Sequence, residues 1–299
     1  MKKKIALLFG FIILAGSIWY LFIKPFDYLV TFKVKALPGT INQTIKTWAV
    51  SSDNITTVQQ KDIHTISQRI KFGDSIHHYD FEIVQLNDTV SKIKVFIKDK
   101  ENSFQNKLTI PFADTPFEEN CIKTVKDLSR TIIDHLGDFK VTVVGEENIA
   151  PKFCAYVPLK GTQLQKASGM MKNYSLLSGY LAGKNIELDG NPLVEITKWD
   201  VATDSIYYNF CFPVIKPDTI PQNSIIQFKE IKSSKAVKAI YNGNYISSDR
   251  AWYALQQYAK NEGLETVEKP LEIFYNNPGL SSNELEWKAE IFMPLKPKS

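Results

Sequence analysis

Residues 252–275 read WYALQQYAKNEGLETVEKPLEIFY, and residues 174–197 read YSLLSGYLAGKNIELDGNPLVEIT. Set in register, Tyr174, Leu177, Tyr180 and Pro192 fall on Trp252, Leu255, Tyr258 and Pro270 without a gap. The aromatic and leucine positions recur at helical spacing. After each proline comes an apolar strand, Leu193 to Trp199 or Leu271 to Tyr275, then a turn, Asp200 to Asp204 or Asn276 to Ser282. A last strand closes each copy, on Phe212-Pro213-Val214 or Met293-Pro294-Leu295. Gly183 and Gly263 are the expected helix stops. Lys216 to Asn223, with Pro217 and Pro221, links the copies. Each copy therefore reads strand–helix–strand–strand. One such unit cannot cover its own sheet, so two are expected to pair about a pseudo-twofold axis with a cleft between them.

Upstream, from Phe26 to Asp138, the pattern changes to strand, short helix, meander and long helix. Phe26 to Lys35 is strand-like, and Pro38-Gly39 opens a helical stretch through Trp48. Alternating runs follow at Ile63–Phe72, Ile76–Leu86, Val90–Lys98 and Phe104–Phe112. In the second run His77, Tyr79, Phe81 and Ile83 share one face. Thr115-Pro116-Phe117-Glu118 reads as a capping box, and Phe117, Cys121, Val125, Leu128, Ile132 and Leu136 form one helical stripe ending at Gly137.

At the N-terminus Lys2, Lys3 and Lys4 precede an uncharged run, Ile5 to Ile23, closed by Lys24-Pro25. At 1.5 Å per residue the run spans roughly 28 Å, about one hydrocarbon core. The alternative is a cleaved signal peptide ending near Ala15-Gly16-Ser17. The apolar run continues past that point, and Trp19 and Tyr20 resemble interfacial aromatics. An uncleaved single-pass anchor is expected, with the lysines cytoplasmic and the soluble domains outside.

The chain has 299 residues, 44% apolar and 23% charged, with net charge +4. That mix supports ordinary cores and about two domains. Aromatics at 12% suit a lined cavity, but plain core packing is the favoured reading because aromatics dominate core burial anyway. No basic stripe, helix-turn-helix or zinc-finger pattern is present, so nucleic acid is not an expected partner. Cys121, Cys154 and Cys211 are far apart and read as small buried hydrophobes. His77 and His78 point to opposite faces of a strand, and His64 and His135 have no partner at ligand spacing, so no metal and no cofactor is expected.

Two resemblances follow from these residues. The element order of residues 26–138 resembles the SRPBCC (START-like, helix-grip) superfamily, which implies a curved sheet gripping the long helix and carries no shared catalytic motif. In the second domain, Tyr241-Asn242-Gly243-Asn244-Tyr245, Pro270-Leu271-Glu272-Ile273-Phe274-Tyr275-Asn276-Asn277-Pro278 and Trp287-Lys288-Ala289-Glu290-Ile291-Phe292-Met293-Pro294-Leu295 resemble the GyrI-like, or bacterial transcription-activator effector-binding, domain. The implied fold class is α+β: a membrane anchor over 1–25, a helix-grip antiparallel sheet over 26–138, and a duplicated GyrI-like domain over 139–299.

The resemblance also implies a site. Its cleft takes drug-like or amphipathic molecules, and an acidic residue of the last strand, here Glu290, meets cationic ligands. Ala289 replaces the usual Thr. Asn209 is the position symmetric to Glu290. Tyr275, Tyr245, Phe292 and Trp252 complete the expected ligand-binding set, although Trp252 also sits at core spacing and Glu290 equally suits a solvated edge strand. A second reading is a hydrolase of small electrophilic adducts using Glu290 with Tyr275 or Tyr245. The chain shows no GxSxG elbow, phosphate loop or HExxH to favour enzymatic work.

Overall fold

The computed structural model describes residues 2–277 and 282–297; Pro278 and the rest of the expected turn up to Ser281 lie outside them. The chain divides into two compact units, Met1–Ile133 and Asp134–Ser299.

The first unit begins with α1 (Lys2–Ile18), continued by a wider helical turn, Trp19–Ile23. Lys3–Ile23 is 21 residues long with mean hydropathy 2.3, long and apolar enough to cross a membrane by length and composition. Then come β1 (Tyr28–Val34), α2 (Pro38–Val50), β2 (Ile55–Asp62), β3 (Thr65–Phe72), β4 (Ser75–Gln85), β5 (Ser91–Asp99), α3 (Ser103–Thr109) and α4 (Pro116–Gly137). The strands form one antiparallel sheet in the order β1-β5-β4-β3-β2. Alternation in β4 and β5 buries Tyr79, Phe81, Ile83, Ile93, Val95 and Ile97 on one face. The stripe of α4 is buried as well, from Phe117 through Cys121, Val125 and Leu128 to Ile132. His77 of β4 meets Phe117 edge to face at 4.9 Å, which sets the start of α4 against the sheet. Thr115 caps that helix by accepting from the Glu118 amide at 3.1 Å, while the Glu118 carboxylate accepts from Tyr28 Oη at 2.7 Å.

One expected strand is absent. Phe104–Phe112 is not extended; Ser103–Thr109 is helix α3. Phe104, Leu108 and Phe112 are four apart, a helical spacing that alternation hides in so short a run. The Asp99 carboxylate accepts from the amides of Glu101 and Asn102, turning the chain just before the helix.

The second unit runs β6 (Phe139–Ile149), β7 (Lys152–Gly161), α5 (Lys166–Gly183), β8 (Leu193–Asp200), β9 (Ser205–Pro213), β10 (Gln227–Ile231), β11 (Ser234–Gly243), α6 (Arg250–Asn261), β12 (Leu271–Phe274) and β13 (Lys288–Pro294). All eight strands share one antiparallel sheet, β10-β7-β9-β8-β12-β13-β11-β6. The order is a palindrome of the two copies: β7-β9-β8 mirrors β11-β13-β12, and the pseudo-twofold axis passes between β8 and β12. Each copy adds one helix, α5 or α6.

The sheet cannot be flat. β6 and β7 are six places apart in it, as are β10 and β11. Six flat spacings would be about 29 Å. Yet three Cα steps join Ile149 to Lys152, and three join Ile231 to Ser234, a reach of about 11 Å each. The two short crossovers therefore curl the sheet until its ends meet. The helices cover the outer face, where Phe212 packs on Tyr174 and Tyr208 Oη reaches the Lys166 carbonyl. The inner face buries its own core at the closed end: Ile149, Cys154, Leu193, Cys211, Ile231, Ala236, Leu271 and Phe292. No helix is needed there because the sheet covers itself.

Candidate functional site

Above the inner apolar floor sit two polar clusters at related positions in the two copies. In the second copy, alternation along β13 puts Lys288, Glu290 and Phe292 on the inner face. The Glu290 carboxylate accepts from Lys288 Nζ at 2.9 Å and lies 3.1 Å from Lys238 Nζ. Lys238 also reaches Glu147 at 3.1 Å. Its ammonium lies 5.2 Å from the centre of the Phe292 ring, and that of Lys288 lies 4.3 Å from the centre of Tyr275. Burial alone would raise the Glu290 carboxyl; hydrogen bonds from Lys288, Lys238 and Tyr275 hold it below the usual range instead. Burial, then the bond to Glu290, pushes the Tyr275 phenol up to about 12.

In the first copy the same level is built differently. Asn209 Nδ2 donates to Glu195 at 2.7 Å, and Lys229 Nζ donates to both Glu195 oxygens at 2.7 and 2.6 Å. Tyr156 lies under the Lys229 ammonium at 5.7 Å and donates to Gln227. Strand pairing makes the symmetry explicit. Cys154 and Ala236 face Pro213 and Pro294, so Tyr156 corresponds to Lys238, and Asn209 to Glu290.

The inner face thus carries Glu290, Phe292, Tyr275 and Asn209. It does not carry Trp252 or Tyr245. Trp252, carried by α6 on the helix side, is wholly buried and donates to Glu272 Oε1 at 2.6 Å. Tyr245 packs between Phe274 and Trp287, with its hydroxyl donating to the Lys288 carbonyl. Glu195, Lys229, Lys238 and Glu147 were missed in the sequence. The alternation of Leu193, Glu195 and Thr197 could have placed Glu195. Lys229 lies on a five-residue strand after a proline-rich link, where no periodicity develops.

A second network, also unread in the sequence, lies on the helix side. Glu272 and Lys166 form an ion pair with both side chains fully buried. Ser248 Oγ and Trp252 Nε1 also donate to Glu272, and the Lys166 ammonium lies over the Trp252 ring at 4.9 Å. Every oxygen of Glu272 is engaged, so this is a closed structural element.

Two cavities lie away from the inner face. One of about 470 Å³ in the first unit is lined by Phe72, His77, Asp99, Asn106 and Phe117. The other, about 540 Å³, is bounded by the link from Ile220 to Phe228. Neither brings together opposed charges on a duplicated frame, which the inner face does. No group of three His, Cys, Asp or Glu side chains suited to a metal occurs among the described residues.

Residues 151–296 match the family model of the GyrI-like small molecule binding domain. Solved structures similar to the chain include the EcmrR C-terminal domain, at 16% identity and TM-score 0.42, covering 54% of this chain and 99% of that one. A hydrolase from Listeria innocua is 18% identical with TM-score 0.32, over 53% and 92% of the two chains. SAV2435 bound to tetraphenylphosphonium is 13% identical with TM-score 0.35, over 53% and 93%. No curated protein matches the sequence.

Proposed function

With residues 151–296 a GyrI-like small molecule binding domain, we propose that the chain holds an amphipathic organic molecule on the inner face of the curled sheet, on a domain tethered to a membrane by residues 1–25. Residues 26–138 form the intervening domain, which we read as helix-grip, and residues 139–299 the ligand domain. The observation that carries the reading is the polar cluster of Glu290, Lys238 and Tyr275 set beside the apolar floor of Phe292, Ile273 and Leu193. An apolar floor binds by area, and a few convergent polar groups fix orientation.

Within the two clusters the charges are paired. Glu290, Glu147 and Glu195 are matched by Lys238, Lys288 and Lys229. A cationic aromatic ligand reaches Glu290 only by displacing Lys288, the more exposed of its two lysines. The same pairing favours binding over hydrolysis, because a carboxylate held below its usual pKa is a weak general base.

Calorimetric titration of the full chain in detergent tests this, with tetraphenylphosphonium as cation and a neutral triaryl compound beside it. Glu290→Gln should weaken the cation by roughly one to two decades and the neutral compound much less. Lys288→Met should strengthen the cation by about one decade, since it removes the competing ammonium. Equal changes for both compounds in both variants would overturn the assignment.

A further inference from the structure

Helix α3 is built inside out. Its polar residues Asn106 and Lys107 are buried, while Phe104 and Leu108, one turn apart, are 52% and 49% exposed. Just beyond it Phe112 is 86% exposed. A helix at a water surface turns its apolar stripe inward. This one turns it outward, so water is not the solvent that its sequence suits.

What adjoins the stripe says what covers it. The Phe104 ring lies 5.7 Å from that of Phe22, in the last turn of the apolar N-terminal helix. Trp19, Phe22 and Ile23 are themselves exposed, so the apolar surface of Lys3–Ile23 runs on without a break into α3. Lys107 fixes the junction. Its buried ammonium donates to the Lys24 carbonyl at 2.6 Å and lies 3.9 Å from Asp27. It thereby satisfies a carbonyl left free just past the helix end. The Lys24 ammonium lies over the rings of Tyr20 and Phe26 at 4.7 and 4.4 Å, an aromatic and basic collar at the level of α3. Aromatic rings and lysines of this kind belong at the boundary between headgroups and acyl chains.

We propose that Phe104, Leu108 and Phe112 insert into the headgroup–acyl boundary of a lipid bilayer, making α3 a second, interfacial membrane contact beside the spanning helix. The inference rests on the reading of Lys3–Ile23 as an anchor. It assigns the outward stripe to lipid, and Lys107 the role of holding α3 at a fixed height. The first unit is then held against the bilayer surface and does not swing on a single helix.

The test uses the full chain reconstituted in phosphatidylcholine–phosphatidylglycerol vesicles. An environment-sensitive fluorophore is attached at Phe112→Cys, or separately at Phe9→Cys within the spanning helix. The native Cys121, Cys154 and Cys211 are buried, and mock-labelled wild type gives the background. Lipids carrying a nitroxide near the headgroup should quench the probe at 112 at least twofold, and lipids with a deep nitroxide should quench it less. The probe at 9 should respond more to the deep nitroxide. Quenching at 9 with none at 112 would overturn the interfacial contact while leaving the anchor standing. No quenching at either position would remove the anchor and this inference together.

Discussion

The pair Lys166–Glu272 shows how much one buried contact decides. Both side chains are out of water, and each ion is tolerated only through the other and the donors around them. Removing one partner strands a buried charge, whereas an apolar pair of similar volume does not. Lys166→Met should therefore cost about 3–5 kcal/mol in urea unfolding, and the double variant Lys166→Met with Glu272→Leu should recover most of it. His135 gives a pH signature. Burial first, then the nearby Arg250 charge, lower its pKa from 6.5 to about 4, against a smaller opposing pull from Asp138. The folded form thus binds fewer protons than the unfolded chain below pH 6.5, so stability is full above that value and falls as the pH drops toward 4. The window amounts to about 3 kcal/mol. His135→Gln should flatten that part of the stability curve, leaving the smaller contributions of His77 and His78, whose pKa values burial also lowers.

Elements with a clean period and room to show it were legible. Strand β4 keeps strict alternation from His77 to Ile83, and α4 keeps its buried stripe from Phe117 to Ile132. Short elements were not. Seven-residue α3 fits a strand and a helix equally well, and β2 and β10 carry too few apolar residues to declare a face. Close approach between elements is likewise invisible in the sequence. A Cβ at Gly169 of α5 would lie 2.1 Å from Tyr208 Oη of β9, so that helix is seated on β9 through the absence of a side chain. Gly169→Ala should destabilise the second unit by about 1–3 kcal/mol in thermal unfolding, and adding Tyr208→Phe should restore part of the loss. A loss unrelieved by the second change would mean that the helix, not the tyrosine, sets the clash.

At the scale of the whole molecule, the tether reading has a direct check. Protease added to spheroplasts should digest the ligand domain if the lysine-flanked helix spans with its N-terminus inside. Protection of that domain, or a mature N-terminus near Ser17, would refute the topology. Sequence alone determined the duplication, the strand–helix–strand–strand unit and the apolar N-terminal run, because local periodicity and spacing are written along the chain. It also put Glu290 and Phe292 on one face. What it could not reach was the company they keep. Lys238 and Tyr275 come to Glu290, and Glu147 to Lys238, from three other segments, and Lys229 comes to Glu195 across two strands. Trp252 went to the helix side because α6 turns it toward Glu272. Two three-step crossovers curl the sheet, and only that curl decides which face is inside. Pairing across a curled sheet depends on distances between residues far apart in the chain, which no local period encodes.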